Sequence, residues 1–149
     1  MPRTKLTLPG NFNFTTFIPI RITDLNYGNH VGNDSVLSLL HEARVQFLIH
    51  HGYTELNVDG VGLIMSDATL EFRNEILYGD KLRASIAATE FSRVGFELYY
   101  KLEKLVVQES GSVEKWVPAV FARTSMVCFN YELKKVAPLP KDVCNKLLS

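Results

Sequence analysis

Only one segment of this chain has the pattern of a long amphipathic helix. From residue 34 to about residue 50, apolar residues recur every three or four positions, and Gly52 follows as a helix-ending residue. We expect the side chain of Asn33 or Asp34 to cap this helix. Arg44 falls at the margin of the apolar stripe, where we expect a structural ion pair. The predicted core stripe consists of Val36, Leu39, Leu40, Ala43 and Phe47.

Most of the remaining chain has the pattern of β-strands. Residues 17–22 are rich in β-formers, and Pro19 among them predicts an edge strand or a bulge. After the helix, four longer segments show strand-like alternation, and short turns or hairpin loops, such as the loop at 109–112, separate them. These four segments cover residues 63–73, 81–89, 96–108 and 116–131.

An antiparallel sheet made of these strands needs a cover for its apolar face, and the segment 34–50 is the only large apolar helix available. We therefore predict an α+β fold in which a sheet of about five strands wraps around one long central helix. The length of 149 residues predicts a single domain over 1–149. Within it, we expect 1–16 to form an irregular N-terminal arm and 140–149 to hold a short C-terminal helix.

Composition argues against several classes of function. Lys plus Arg and Asp plus Glu each number 16, so no net field would attract nucleic acid. No apolar run approaches the roughly 18 residues of a membrane span, and the N-terminus lacks a secretory h-region. Cys128 and Cys144 have no metal-ligand spacing and are expected to be ordinary thiols. We therefore expect a cytoplasmic protein that binds neither nucleic acid nor membrane.

The loop that leads into the helix is the expected functional site. Eight of the eleven residues at 24–34 are polar or glycine, and they lie between two segments that look suited to a core. Loops that a rigid scaffold holds in place often carry binding and catalytic groups. The sequence therefore directs attention to this loop and to the start of the helix.

The residues from Asp24 to Asn33, followed by Glu42-Ala43-Arg44, resemble the signature Asp-x-Asp-x-x-Gly-His-Val-Asn-Asn … Glu-Ala-Arg. That signature belongs to the 4-hydroxybenzoyl-CoA thioesterase-like acyl-CoA thioesterases, which have the hotdog fold. Segment 76–82 is similar to the family's turn before a central strand, so the resemblance covers roughly residues 15–148.

This resemblance implies a single hotdog domain that forms a homodimer or a dimer of dimers. It implies an active site at the subunit interface, where the loop of one chain meets the helix of the other. The implied substrate is a thioester of CoA or of acyl carrier protein. The implied chemistry uses no metal and no cofactor, because coenzyme A enters only as part of the substrate.

The chain departs from the signature at Asn26, where the family commonly has the Asp credited with the nucleophile or general-base role. An amide can orient water or donate to a carbonyl, but it cannot accept a proton near neutral pH. Nor does the rest of the loop match fully, since Asn29 separates Gly28 from His30, and Gly32 replaces an asparagine.

Three nearby groups are candidate bases, and each has a structural alternative. Asp24 could instead cap the loop, His30 could hold the loop closed, and Glu42 could be a solvated carboxylate or the partner of an arginine. We predict general-base hydrolysis in which Asn26 positions substrate or water. The N–H groups around Gly32 and Asn33 are predicted to form the oxyanion site.

The phosphates of CoA require a cation near the mouth of the site. Arg93 is the leading candidate, because it lies in a turn where relatives place residues that contact CoA, and Lys81 is a weaker one. Both could also be ordinary surface charges.

Two other functions stay open. Asn26 favours a non-hydrolytic hotdog protein that binds an acyl thioester or serves as an assembly module. Hydration or dehydration of an acyl thioester is disfavoured, because the chain lacks a double-hotdog layout and matches the Glu-Ala-Arg helix.

Overall fold

The computed structural model describes residues 3–109, 111 and 113–149, and within them an antiparallel sheet of six strands wraps around one long helix. The predicted architecture is confirmed, with six strands rather than about five. The sixth is only two residues long. The strands are β1 (Phe14–Ile18), β2 (Gly62–Phe72), β3 (Leu82–Thr89), β4 (Gly95–Val107), β5 (Glu114–Asn130) and β6 (Lys135–Val136). The helices are α1 (Asn33–His50) and the short α2 (Val143–Leu148), and a 3-10 turn occupies Ile22–Asp24.

The sheet has the strand order β1-β3-β4-β5-β2, and β6 pairs with the outer part of β5. Strands β3, β4 and β5 follow one another as antiparallel neighbours, whereas β2 lies at the far edge beside β5. Strand β1 forms the opposite edge, as the proline in this region predicted. The two edge strands therefore flank α1, the helix that joins them in sequence.

The core lies between α1 and the inner face of the sheet. All five residues of the predicted core stripe of α1 are buried, and so are Phe96, Leu98, Tyr100 and Leu102 of β4. The alternation in β4 is thus confirmed, because its other face carries polar and charged residues. Among the described residues, no helix is both long and apolar enough to cross a membrane.

The start of α1 differs from the prediction. Gly32 occupies the N-cap position with an extended backbone, and no side chain caps the helix. The reason is a closure of the loop backbone, in which the Gly32 N–H donates to the Asp24 carbonyl at 3.1 Å. This bond keeps the chain extended through Gly32. Asn33 and Asp34 consequently lie inside the first turn rather than before it.

The first strand is also displaced from its predicted position at 17–22. Strand β1 runs from Phe14 to Ile18, and its register pairs Ile18 with Leu82 of β3. Pro19 ends the strand because it has no N–H to donate. Further along, the predicted hairpin loop at 109–112 includes Ser110 and Ser112, which lie outside the described residues.

The N-terminal arm crosses the outer face of the sheet. The strand register places Glu71 of β2, Phe121 of β5 and Lys101 of β4 in one row on the face opposite α1. The Leu6 N–H donates to Glu71 Oε1 at 2.8 Å, and Lys101 Nζ lies 4.9 Å from the centre of the Phe12 ring. The arm therefore runs from β2 across to β4 before the chain enters β1.

Candidate functional site

The loop at 24–34 closes on itself as a tight hairpin. The Asn26 N–H donates to the His30 carbonyl at 2.9 Å, and the Asn26 side-chain oxygen accepts the Gly28 N–H at 2.8 Å. Asn29 takes a left-handed conformation, with φ of 65°, and donates its N–H to the Asn26 carbonyl at 3.1 Å. Asn26 therefore shapes the turn with both its backbone and its side chain. Its side-chain nitrogen donates to no protein group among the described residues.

The Asp24 carboxylate is tied to its own turn. Asp24 is buried, and its Oδ2 accepts the Arg21 N–H at 2.8 Å. The Arg21 guanidinium lies farther from the carboxylate, at 3.7 Å from Oδ1. The Asp24 carbonyl already accepts the Gly32 N–H, so that N–H is occupied. By contrast, the Asn33 N–H lies in the first turn of α1, where the helix offers it no acceptor.

His30 and Asn33 line the same cavity at the N-terminal end of α1. This cavity has a volume of about 200 Å³, and the rest of its wall is formed by Val31, Val36, residues 72–76 and Val120. The His30 Nδ1 lies 3.2 Å from the Val31 carbonyl. When Nδ1 donates its proton to that carbonyl, the other ring nitrogen, Nε2, carries the lone pair and can accept a proton.

Glu75 is a carboxylate of this cavity that the sequence analysis missed. His30 faces Leu77 in an isolated antiparallel bridge, so the register puts Glu75 opposite Gly32 and diagonal to His30. Diagonal neighbours in such a ribbon are within reach of long side chains. Gly32 has no side chain that would stand between them. The polar run at 73–75, directly after the strand-like segment, is the one feature of the sequence that could have drawn attention to this residue.

Glu42 lies away from this cavity. Its side chain is exposed, and Oε2 accepts a hydrogen bond from Gln46 Nε2 at 2.9 Å one turn later on α1. It lines a different cavity of about 290 Å³, beside Pro19 and Arg21. Glu42 follows Asn33 by nine positions in the helix, or roughly 14 Å along the axis. Within one chain, the structure therefore brings together His30 and Asn33 but not Glu42.

Arg44, the last residue of the signature, is part of a buried polar cluster. Its Nε donates to Glu55 Oε1 at 2.9 Å, and its Nη1 donates to the Tyr100 hydroxyl at 3.2 Å. Tyr100 in turn contacts Thr124 Oγ1 at 2.6 Å. Burial by itself lowers the pKa of Arg44, but Tyr100 and Glu55 more than offset this effect, and its pKa is raised. The predicted ion pair of Arg44 is thus present in the structure.

Lys81 and Arg93, the candidate CoA contacts, lie at opposite ends of β3. Lys81 Nζ lies 4.9 Å from the centre of the Phe17 ring, at the end of the sheet near the loop. Arg93 is exposed in the turn after β3, and its carbonyl accepts the Leu139 N–H at 2.8 Å. Eight strand residues span roughly 26 Å. Within one chain, the two cations therefore cannot contact the same phosphate group.

Among the described residues, neither a metal site nor a thiol forms part of the cavity that contains His30. In the part of the chain that the structure describes, no group of three or more His, Cys, Asp or Glu side chains is placed to hold a metal ion. Cys128 is buried and Cys144 is partly exposed, and neither forms a disulfide. Burial raises the pKa of the Cys128 thiol to about 11. Neither thiol lines the cavity that contains His30.

Comparison with known families decides the class of protein. A sequence model described as the Thioesterase-like superfamily matches residues 20–147, which is most of the chain. The chain belongs to this superfamily. A search of curated proteins by sequence found no significant match to this thioesterase-like chain.

Solved structures with the same fold include several aryl-CoA thioesterases. A 1,4-dihydroxy-2-naphthoyl-CoA thioesterase from Synechocystis superposes with a TM-score of 0.74 at 23% identity, covering 90% of this chain and 94% of that one. An aspartate-to-asparagine variant of 4-hydroxybenzoyl-CoA thioesterase, in complex with 4-hydroxybenzoyl-CoA, gives 0.76 at 17% identity, covering 90% and 97%. A gentisyl-CoA thioesterase gives 0.73 at 19% identity, covering 90% and 99%. These likenesses confirm the hotdog fold of the thioesterase-like chain.

Proposed function

We propose that this protein hydrolyses an acyl- or aryl-CoA thioester by general-base attack of water, in a site that a second copy of the chain completes. The observation that carries this proposal is the single cavity lined by His30, Asn33 and Glu75 at the start of α1. Hydrolysis needs a base and oxyanion donors around one reacting carbonyl, and these residues supply both. Membership of the thioesterase-like superfamily supports the same reaction.

His30 is the proposed base. Its Nε2 accepts a proton from the attacking water, while Nδ1 donates to the Val31 carbonyl at 3.2 Å and fixes the ring. Glu75, diagonal to His30, stabilises the imidazolium that forms, as a carboxylate does in catalytic triads. The free side-chain nitrogen of Asn26 positions the water or the substrate carbonyl. In this mechanism, His30 and Asn26 of the loop together with Glu75 after β2 take the role of the aspartate that the family signature has at position 26.

The oxyanion site is proposed to lie in the first turn of α1. Because the Gly32 N–H is engaged by Asp24, the donors are the N–H groups of Asn33 and Asp34. The positive end of the helix dipole also favours the negative charge that develops on the thioester oxygen. This assignment keeps Asn33 from the sequence-based prediction and replaces Gly32 with the following residues.

A second copy of the chain is proposed to pair along β2. This strand is at the edge of the sheet, so its outer N–H and C=O groups have no partner strand among the described residues. Leu37 of α1 and Met65 of β2 are 42% and 43% exposed and line one shallow cavity together with His41. In a dimer formed through β2, the two copies of this edge strand would pair with each other and cover the side chains of Leu37 and Met65. The dimer of dimers that the family resemblance implies stays a prediction.

The decisive experiment is to follow thiol release from a panel of aliphatic and aryl CoA thioesters, with the thioester of an acyl carrier protein included. For the best substrate, we expect His30→Ala to lower kcat by about 10²–10⁴, the usual effect of removing an acid–base group. Glu75→Gln should lower kcat by about tenfold or more and change the pH profile. Glu42→Gln and Asp24→Asn serve as comparisons, because their carboxylates lie outside the cavity.

The mechanism is rejected if His30→Ala and Glu75→Gln both retain wild-type kcat, or if Asp24→Asn or Glu42→Gln alone abolishes turnover. The hydrolase proposal itself is rejected if no thioester of the panel is hydrolysed above background by the wild-type protein.

A non-hydrolytic thioester-binding protein is the second candidate function. Asn26 favours it, because its side-chain oxygen is occupied by the Gly28 N–H and cannot act as a base. The variant relative bound to 4-hydroxybenzoyl-CoA carries asparagine for aspartate, and in that protein the exchange is compatible with a bound thioester. The substitution Asn26→Asp separates the two functions. A binding protein gains turnover from the new carboxylate, whereas a hydrolase that relies on His30 gains none.

A further inference from the structure

A second cavity adjoins the proposed active site on the outer side of β2. Its volume is about 380 Å³. Phe72 and Arg73 line both this cavity and the one that contains His30, so the two share a wall at the end of β2. We name the second cavity the arm groove, and its lining consists of Arg3, Thr4, Lys5 and Leu6 from the N-terminal arm and Glu71, Phe72 and Arg73 from the end of β2.

The arm groove is locally positive. Its lining holds three cations (Arg3, Lys5 and Arg73) and one carboxylate (Glu71), which gives a charge of +2, whereas the whole chain has a formal charge of zero. The Glu71 carboxylate is also already bonded within the protein. It accepts the Leu6 N–H and a hydrogen bond from Arg73 Nη1, each at 2.8 Å, and these two bonds lower its pKa. The groove therefore presents an excess of positive charge to a ligand.

The guanidinium of Arg73 is fixed in position and still has N–H groups that can bind an anion. Its guanidinium lies 5.0 Å from the centre of the Phe121 ring, and Nη1 is fixed on Glu71. Its side chain nevertheless remains 45% exposed. A guanidinium has five N–H donors, so one bond to Glu71 leaves several for the paired oxygens of a phosphate.

We propose that the arm groove binds the phosphates of the CoA nucleotide while the thioester lies in the cavity of His30. This inference rests on the proposed function in one respect, namely that the ligand is a CoA thioester. The shared wall of Phe72 and Arg73 gives the pantetheine arm a route between the two cavities. The arm at residues 3–6 lies outside residues 20–147, which match the superfamily.

In the arm groove, the nucleotide lies far from Arg93 of the same chain. Arg93 precedes β4, whose first residue Gly95 pairs with Val127, and Val127 pairs in turn with Ile64 of β2. Ile64 is eight residues from Phe72, or roughly 26 Å along the strand. Within one chain, Arg3 and Lys5 are therefore far better placed than Arg93 for a ligand that starts in the cavity of His30.

The test compares the double variant Arg3→Ala/Lys5→Ala with the control Lys134→Ala/Lys135→Ala. Both double variants remove two positive charges. In the control, Lys134 lies in the turn before β6 and Lys135 is the first residue of β6. Both are exposed, and β6 pairs with the C-terminal end of β5, away from the arm groove. Calorimetric titration would use CoA, dephospho-CoA and pantetheine as ligands. We expect the arm variant to bind CoA at least tenfold more weakly, with pantetheine affinity unchanged, and the control to bind all three as the wild type does.

Steady-state kinetics give a second readout. For the CoA thioester that the wild type hydrolyses best, the arm variant should raise KM at least tenfold and leave kcat nearly unchanged. The corresponding pantetheine thioester should show no difference between the two proteins. The arm groove is rejected if the arm variant binds CoA as tightly as the wild type, if it loses pantetheine affinity equally, or if the wild type binds no CoA at millimolar concentration. If the protein hydrolyses no thioester but its CoA binding still depends on Arg3 and Lys5, only the proposed reaction is rejected.

Discussion

The side-chain oxygen of Asn26 accepts the Gly28 N–H at 2.8 Å, in the same loop where the superfamily signature commonly has an aspartate. This bond fixes the turn that carries His30 into the cavity. An aspartate could accept the same N–H, but alanine could not.

We therefore predict that Asn26→Ala lowers the free energy of unfolding by about 1 kcal/mol, the usual net contribution of one hydrogen bond. Asn26→Asp should retain the stability of the wild type. Urea denaturation of the three proteins measures both values. Equal destabilisation by the two substitutions would show that the 2.8 Å bond does not hold the loop.

The cluster around Arg44 should be important for stability rather than for chemistry. Arg44→Ala removes the buried cation from the Tyr100 hydroxyl and from the Glu55 carboxylate, which keeps only His41 Nε2 at 3.1 Å. We expect a loss of about 3 kcal/mol in the free energy of unfolding. Glu42→Ala, an exposed change on the same helix, should change it by less than about 0.5 kcal/mol. A double variant that also carries Glu55→Ala should lose less than the sum of the single changes. Additive losses would contradict a direct Arg44–Glu55 interaction.

The proposed pairing through β2 predicts a dimer in sedimentation at micromolar concentration. Met65→Lys places a charge on the exposed edge strand and should shift the protein towards monomer, with a thermal midpoint that no longer rises with protein concentration. Leu133→Lys is the matched control, because Leu133 is also exposed but lies in the turn after β5. A wild-type protein that sediments as a monomer, or equal dissociation by both variants, would reject the β2 interface.

The two thiols should differ in reactivity. Cys128 has a pKa of about 11, so only about one molecule in a thousand carries its thiolate at pH 8. Cys144 is partly exposed, and we expect it alone to react rapidly with a thiol reagent at this pH. The rate for Cys128 should rise as the pH approaches 11, and Cys144→Ser should abolish the rapid phase. Two rapid thiols in the wild type at pH 8 would contradict this assignment.

The helices and strands of this fold can be predicted from local patterns in the sequence. Each element buries one face, so its apolar residues recur with the period of a helix or of a strand. The stripe of α1 and the alternation of β4 both predicted which side chains enter the core. The start of α1 was predicted wrongly for a different reason. Its position depends on the bond from the Gly32 N–H to the Asp24 carbonyl, which joins residues that no helix-capping signal connects.

The site was less accessible to sequence analysis than the fold. The loop signature located His30 and Asn33, which the structure places on one cavity. Glu75 reaches the same cavity only because the chain after β2 pairs with the loop, as the bridge between His30 and Leu77 shows. That pairing is a tertiary contact, and neither composition nor spacing indicates it.

The path of the N-terminal arm across the outer face of the sheet also restricts the order in which the chain can fold. The Leu6 N–H donates to the carboxylate of Glu71, which is 65 residues later in the chain, and the Phe12 ring contacts Lys101 Nζ of β4. Neither surface exists until β2 and β4 have paired with β5, so the arm must dock after these later strands have formed, although it precedes them in the chain. Closing loops of this length is entropically costly and slow. Early folding intermediates should therefore contain the central helix and sheet while amides of the arm still exchange freely with solvent.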